Sequence, residues 1–343
     1  MRKYIEKVEK NNHLLYEEML EAAKRIFDER TDSQEIIDFL VALSRKGETA
    51  QEVAALANVM KSYAVQLDVP EGVYMDNCGT GGDGSNSFNI STASAFVLAG
   101  TGVAVAKHGN RKISSAAGSS DVLEALGLHA DFSEEETMAM LDQEGITFLF
   151  AQKVHPKMKR IGVIRQQIGK PTIFNLVGPL TNPLPLKTQF TGINRPDFVM
   201  DYATVLRMLG RERAIVVSGA GGMDEASLAG QNTFVLLDKG DLIPFSLTAD
   251  EVGLDFAPAS AIRGGDAKEN AAIIRSIFQG KRGPHFDTVA FNAGIGLFAN
   301  GHVTTIQEGI KRATDCMLSG KALQKLEAVV AFSKKINQKA VAR

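Results

Sequence analysis

Apolar residues recur every three or four positions near the start of the chain, through Leu14, Leu15, Met19, Leu20, Ala23 and Ile26. That repeat predicts an α-helix with one buried face. Two further helices are signalled by Asp32 with Glu35 and by Thr49 with Glu52. In each pair a short polar side chain and a carboxylate three residues on can satisfy the free N–H groups of a helix start. Residues 1–67 therefore read as a small all-helical domain. From Tyr74 the pattern changes to short apolar runs alternating with helical stretches. Val103–Ala106, Ile146–Phe150, Arg213–Val217 and Thr233–Leu237 are the clearest strands, and helices are expected near 90–100, 119–127 and 134–144, the last opened by Ser133 with Glu136. Short apolar strands between helices predict a mostly parallel sheet covered on both faces. His155 to Gly169 is helical in pattern, and the stretch Asn175 to Pro183 is a turn region punctuated by Pro179 and Pro183. A segment near 156–186 is expected to join the two units. Helices near 266–278, 304–318 and 320–336 complete a large α/β domain spanning 68–343 apart from that segment.

Composition narrows the class without naming a chemistry. A chain of 343 residues that is 44% hydrophobic can bury a large core. Its 38 basic and 40 acidic residues leave a net charge of -2, which gives no general attraction to nucleic acid or anionic membrane. No apolar run approaches the roughly 20 residues of a membrane span, and the charged start has no apolar region behind it, so a cytoplasmic location is expected. Cys78 and Cys316 make neither a disulfide framework nor a metal-binding spacing, and the six histidines show no paired helical spacing suited to zinc.

The chemistry concentrates in two glycine- and serine-rich loops. The first runs from Asp76 through Gly79, Gly81, Gly82, Asp83, Gly84, Ser87, Asn89, Ser91 and Thr92; the second runs from Lys107 through Asn110, Arg111, Lys112, Ser114, Ser115 and Ser119 to Asp121. Glycine lets successive N–H groups converge on an anion at a helix start, so two such loops suggest a ligand with two separate phosphates. Gly79, Gly81 and Gly84 match the dinucleotide fingerprint, but the acidic residue required after the next strand is replaced by Lys107 and His108. No Gly-Lys-Ser/Thr ending supports a nucleoside triphosphate loop either. Farther on, adjacent Asp224 and Glu225 follow Gly219, Gly221 and Gly222. Alone they could cap a helix; near a diphosphate they could hold magnesium.

Together these elements resemble the anthranilate phosphoribosyltransferase family of tryptophan biosynthesis. The resemblance rests on Gly79-Thr-Gly-Gly-Asp83-Gly, Phe88-Asn89-Ile-Ser91-Thr92, Lys107-His-Gly-Asn110-Arg111, Gly118-Ser119, Phe174-Asn175, Gly178-Pro179-Leu, Asn182-Pro183 and Asp224-Glu225, in an order that spans nearly the whole chain. It implies transfer of phosphoribose from phosphoribosyl pyrophosphate to the amine of anthranilate, release of diphosphate, and a magnesium cofactor. The fold it implies is that of nucleoside phosphorylases and phosphoribosyltransferases, often a homodimer through the helical domain. Gly79, Gly82, Asp83, Ser87, Asn89, Ser91, Thr92, Lys107, Ser115 and Ser119 would hold phosphoribosyl pyrophosphate. Gly79, Asn110 and Arg165 would face anthranilate, and Ser91, Asp224 and Glu225 would ligate magnesium. Ser87 stands where the family usually has Thr, and Ser218, Gly221, Ala116 and Ala117 are also departures, none of which removes a ligand-type side chain. Two rivals remain open on the sequence: a pyrimidine nucleoside phosphorylase, which has no diphosphate for the acidic pair to neutralise, and a non-catalytic relative that binds nucleic acid.

Overall fold

A computed structural model describes residues 1–110, 117–129 and 132–341. The expected helices at the start form: Tyr16–Ile26, Ser33–Lys46 and Ala50–Ser62, preceded by Arg2–Glu9. Both predicted starts are capped as read, Asp32 accepting from the N–H groups of Gln34 and Glu35, and Thr49 and Glu52 closing a reciprocal box. A cap of this kind contributes about 1 kcal/mol. These helices bury Met19, Ile26, Phe39, Leu43 and Leu56 in a core that also takes Ile161, Ile164, Ile173, Phe174 and Val177 from the 156–186 segment.

The rest of the chain builds one seven-stranded sheet: β1 (Tyr74–Asp76), β2 (Ala104–Gly109), β3 (Ile146–Phe150), β4 (Thr188–Gly192), β5 (Arg213–Ser218), β6 (Asn232–Asp238) and β7 (Asp241–Leu247). Their spatial order is β3-β2-β1-β4-β5-β6-β7. The first five pair in parallel, and β6 and β7 are antiparallel additions at one edge. The sheet is thus mostly parallel, with β4 and β7 added to the four clearest strands of the sequence and the run at Tyr74 that becomes β1. Helices Ile90–Gly100, Pro284–Asn300, Ile306–Leu318 and Lys321–Val341 bury their apolar residues in a single core on this domain.

The order reverses between β1 and β4: the chain runs outward from β1 through β2 to β3, then returns to the other side of β1. Ligands of open α/β sheets bind outside the carboxyl ends of the strands at such a switch point. The first glycine loop leaves β1 there, and Gly192 ends β4 beside it.

Candidate phosphate and metal site

Backbone hydrogen bonds weld the loops at the strand ends into one surface. Thr80 N–H donates to the Gly192 carbonyl at 2.9 Å, Thr191 Oγ1 donates to the Cys78 carbonyl at 2.7 Å, and Asn194 Nδ2 reaches the Gly82 carbonyl at 3.0 Å. Within the first loop Gly81, Gly82 and Gly84 all take positive φ, the conformation that turns successive N–H groups to one side at low steric cost. The helix that follows, Ile90–Gly100, is buried at Ile90 and from Thr92 to Ala99, leaving Ser91 partly exposed, and its N-cap Asn89 makes no side-chain cap bond. Asn89 instead donates to the Ala117 carbonyl at 3.3 Å and accepts from Asn270 Nδ2 at 2.8 Å.

The acidic pair arrives from the end of β5 and starts no helix. Asp224 Oδ2 accepts the Gly81 N–H at 2.6 Å, and its own N–H donates to Asp83 Oδ2 at 3.3 Å. Ser91 lies near enough to Glu225 to favour its charged form against the effect of burial. Lys107, only 2% exposed, donates from Nζ to Ser91 Oγ at 3.1 Å. Gly79, Asp83, Ser91, Lys107, Asp224 and Glu225 therefore converge, although they come from three separated stretches of chain. Close approach requires glycine: a Cβ on Gly79 would stand 2.5 Å from Asp224 Oδ2.

The electrostatics of the cluster are those of a site short of positive charge. Burial, then the neighbouring Asp83 carboxylate, pushes Asp224 up to about 7. Glu225 lies well above the usual carboxylate range through burial and then Asp224, with Lys107 opposing. Hard oxygen donors crowded around Lys107 suit a divalent cation. Among the described residues no group of three or more His, Cys, Asp and Glu could hold a metal; magnesium commonly takes one or two carboxylates and completes its shell with water and substrate phosphate. The donor set fits that mode.

An acid whose pKa is higher in the folded than in the unfolded chain binds extra protons when folded. Its ionisation therefore lowers stability as pH rises from the unfolded value of about 4 towards the folded one. We predict that Asp224→Asn raises the melting temperature of metal-free protein at pH 8 by about 3 °C and changes it little at pH 4. Calorimetry at the two pH values checks this, and an equal change at both would refute the assignment.

The second loop is partly placed. Ser119 Oγ accepts from the Asn110 N–H and donates to the Asn110 carbonyl, both at 3.1 Å, so it orders Asn110 at the end of β2. Arg111, Lys112, Ser114, Ser115 and Ala116 lie outside the described residues. Thr92 is fully buried, its hydroxyl without a partner among the described residues, and Ser87 sits where residues 86–88 pair with 262–264. Arg165, in the last turn of helix Met158–Ile168, donates to Asn175 Oδ1 at 3.2 Å and lies 5.8 Å from the Phe174 ring. The Asn175 to Pro183 turn region that follows folds back on β2, the Gly178 carbonyl standing 3.0 Å from His108 Nδ1.

Several residues here take roles that their neighbours in sequence do not indicate. His108 and His155 pack edge to face with ring centroids 5.3 Å apart; burial lowers them to about 4 and about 3, so both are neutral at pH 7. Asn182 and Asn194 bind carbonyls or carboxylates far away in sequence. Burial pushes the Cys78 thiol up to about 12, which removes it as a nucleophile.

Residues 2–64 match the helical bundle domain of a glycosyl transferase family, and residues 71–323 match its a/b domain. The chain is 56% identical over 327 residues to anthranilate phosphoribosyltransferase of Exiguobacterium sibiricum, covering 95% of this chain and 96% of the relative. It is 52% identical to that of Listeria innocua, covering 97% and 98%. Among solved structures, the enzyme of Thermus thermophilus superposes with a TM-score of 0.91 at 39% identity, over 96% of this chain and 99% of that one. A Saccharomyces cerevisiae anthranilate phosphoribosyltransferase in complex with PRPP and Mg superposes with a TM-score of 0.84 at 26% identity, over 93% and 92%. Sequence, fold and the converging loops agree, and the chain belongs to the anthranilate phosphoribosyltransferase family.

Proposed function

We propose that this protein transfers the 5-phosphoribosyl group of phosphoribosyl pyrophosphate to the amine of anthranilate, giving N-(5-phosphoribosyl)anthranilate and diphosphate in tryptophan biosynthesis. The observation that carries the reading is the meeting of Gly79, Asp83, Ser91 and Lys107 with Asp224 and Glu225 at the switch point of the sheet. Gly79, Gly82, Asp83, Ser87, Asn89, Ser91, Thr92, Lys107, Ser115 and Ser119 form the phosphoribosyl pyrophosphate subsite in this reading. Ser91, Asp224 and Glu225 hold magnesium, which when bound neutralises charge on the diphosphate.

The bond from the anomeric carbon to a diphosphate oxygen breaks as the carbon–nitrogen bond to anthranilate forms, and the amine proton leaves to solvent. Negative charge grows on the departing diphosphate, and this chain meets it with the Lys107 ammonium and the N–H groups of the first loop, already oriented before reaction. An aromatic amine is neutral and nucleophilic at pH 7, so no strong general base is needed. Catalysis is then mainly positioning and charge stabilisation.

Gly79, Asn110 and Arg165 face anthranilate in this reading, with Arg165 binding its carboxylate. Burial lowers the Arg165 pKa, and the one hydrogen bond of its side chain among the described residues goes to a neutral amide. Arg165→Ala is expected to raise the anthranilate KM by tenfold or more, in line with about 1.5–3 kcal/mol for a charged hydrogen bond, with much less effect on the KM for phosphoribosyl pyrophosphate. Equal effects on both would contradict the role.

The domain division proposed is 1–67 joined by the segment near 156–186, and the remainder of 68–343. It is supported by the shared burial of Ile161, Ile164 and Phe174 with the first four helices. A homodimer through the helical domain is favoured by the exposed Val41 and Val163, on neighbouring helices Ser33–Lys46 and Met158–Ile168. The two free cysteines suit the cytoplasm; among the described residues no helix is long and apolar enough to cross a membrane. Mixing the protein with phosphoribosyl pyrophosphate, magnesium and anthranilate and following anthranilate fluorescence tests the reading. Unchanged fluorescence would sink it, and activity with phosphate and a pyrimidine nucleoside would favour a phosphorylase.

A further inference from the structure

One carboxylate, at the entry to the first loop, lies outside both the acidic pair and the Gly79–Gly84 run. Asp76, the last residue of β1, is fully buried. Its Oδ1 accepts the Cys78 N–H at 3.1 Å and the His108 N–H at 3.2 Å, while Oδ2 accepts Asn182 Nδ2 at 2.9 Å. These donors lie on three different segments: the entry to the first loop, the strand leading to the second, and the turn following Arg165 and Asn175. Asn182 is fully engaged, donating also to the Ala106 carbonyl at 2.8 Å and accepting the Leu184 N–H at 3.0 Å. The same turn is tied at the Pro179 carbonyl by Gln189 Nε2 at 2.7 Å, and Arg211 Nε orients Gln189 at 2.9 Å.

A buried carboxylate is costly unless its oxygens are hydrogen-bonded, so each of these segments is held where Asp76 is satisfied. We propose that Asp76 is a positioning residue that, through Asn182, ties the 174–183 turn to the ends of β1 and β2 and so sets the distance between the phosphoribosyl pyrophosphate loops and Arg165. This rests on the transferase reading for its consequence in catalysis, but not for the anchoring itself.

The geometry makes Asp76→Asn selective. The remaining side-chain oxygen can keep the Cys78 and His108 N–H groups, whereas the new NH2 faces the NH2 of Asn182, so the turn is released and the first loop stays. Asn182→Ala breaks the same link from the other side and leaves the carboxylate its two backbone donors; it is the variant to rely on if Asp76→Asn does not fold. Three measurements on wild type, Asp76→Asn, Asn182→Ala and the double variant test the proposal: steady-state kinetics, titration calorimetry with phosphoribosyl pyrophosphate and magnesium without anthranilate, and amide hydrogen exchange.

Each single variant is expected to lose tenfold or more in kcat/KM for anthranilate, to bind phosphoribosyl pyrophosphate within threefold of wild type, and to exchange amides of the 174–186 segment at least tenfold faster while 79–84 is unchanged. The double variant should be no worse than the more damaged single. Losses that multiply, a loss falling equally on phosphoribosyl pyrophosphate, or unchanged exchange in 174–186 would overturn the proposal. If wild type does not consume anthranilate, the transferase reading fails, and the exchange data still decide the anchoring.

Discussion

Gly192→Ala is expected to abolish most of the activity, by about a hundredfold or more on the scale that a misplacement of about 1 Å carries in a preorganised site. A Cβ there would stand 1.7 Å from the Asp224 carbonyl oxygen and 2.2 Å from its carbon. These are backbone atoms, so the acidic pair must retreat as a unit. The Gly192 carbonyl also accepts the Thr80 N–H, which passes the displacement to the first loop. Overpacking of this kind costs about 1–3 kcal/mol or more in stability, so melting temperature falls as well. Gly162→Ala is the control: nothing lies within 4 Å of its added Cβ, in the middle of a helix, and stability should rise by up to about 1 kcal/mol with activity retained. Parallel melting and activity measurements distinguish the two, and wild-type activity in Gly192→Ala would show that the acidic pair need not sit where it does.

Lys107→Met is expected to lower kcat/KM for phosphoribosyl pyrophosphate by about 100- to 1000-fold, the equivalent of one or two charge-assisted hydrogen bonds at about 1.5–3 kcal/mol each. Lys107 is buried, and its charge opposes the raised pKa values of Asp76 and Glu225. Removing it takes that opposing charge away from both acids. Magnesium alone should therefore bind the variant at least as tightly as wild type, while phosphoribosyl pyrophosphate binding collapses. Calorimetry with each ligand reads the two effects separately; parallel loss of both would mean that the lysine merely supports the fold of the site.

How much of this was legible in advance depended on distance along the chain. The caps at Asp32, Thr49 and Ser133 were readable because donor and acceptor lie three residues apart. The apolar strands β3, β5 and β6 were readable because both faces are covered. β4 was not: its Thr188, Gln189 and Thr191 look exposed, yet all are buried, with Gln189 and Thr191 bonded to Pro179, Arg211 and Cys78. The β6–β7 hairpin turns at Lys239-Gly240, both at positive φ, as a two-residue hairpin turn requires. The helix-cap alternative for Asp224 fails because its partner is the Gly81 N–H, 143 positions away.

Order and residue type along the chain, which local geometry and family resemblance both read, determined the helical start, the alternating α/β plan, the two glycine loops and the acidic doublet. Only the tertiary structure decided that β1 and β4 flank the switch point, that Gly192 must lack a side chain, and that Asp76 and Asn182 belong together across 106 residues. The reason is physical: helix starts and turns are fixed by neighbours within a few residues, whereas a buried polar group takes its role from partners that only the folded sheet brings within hydrogen-bonding reach.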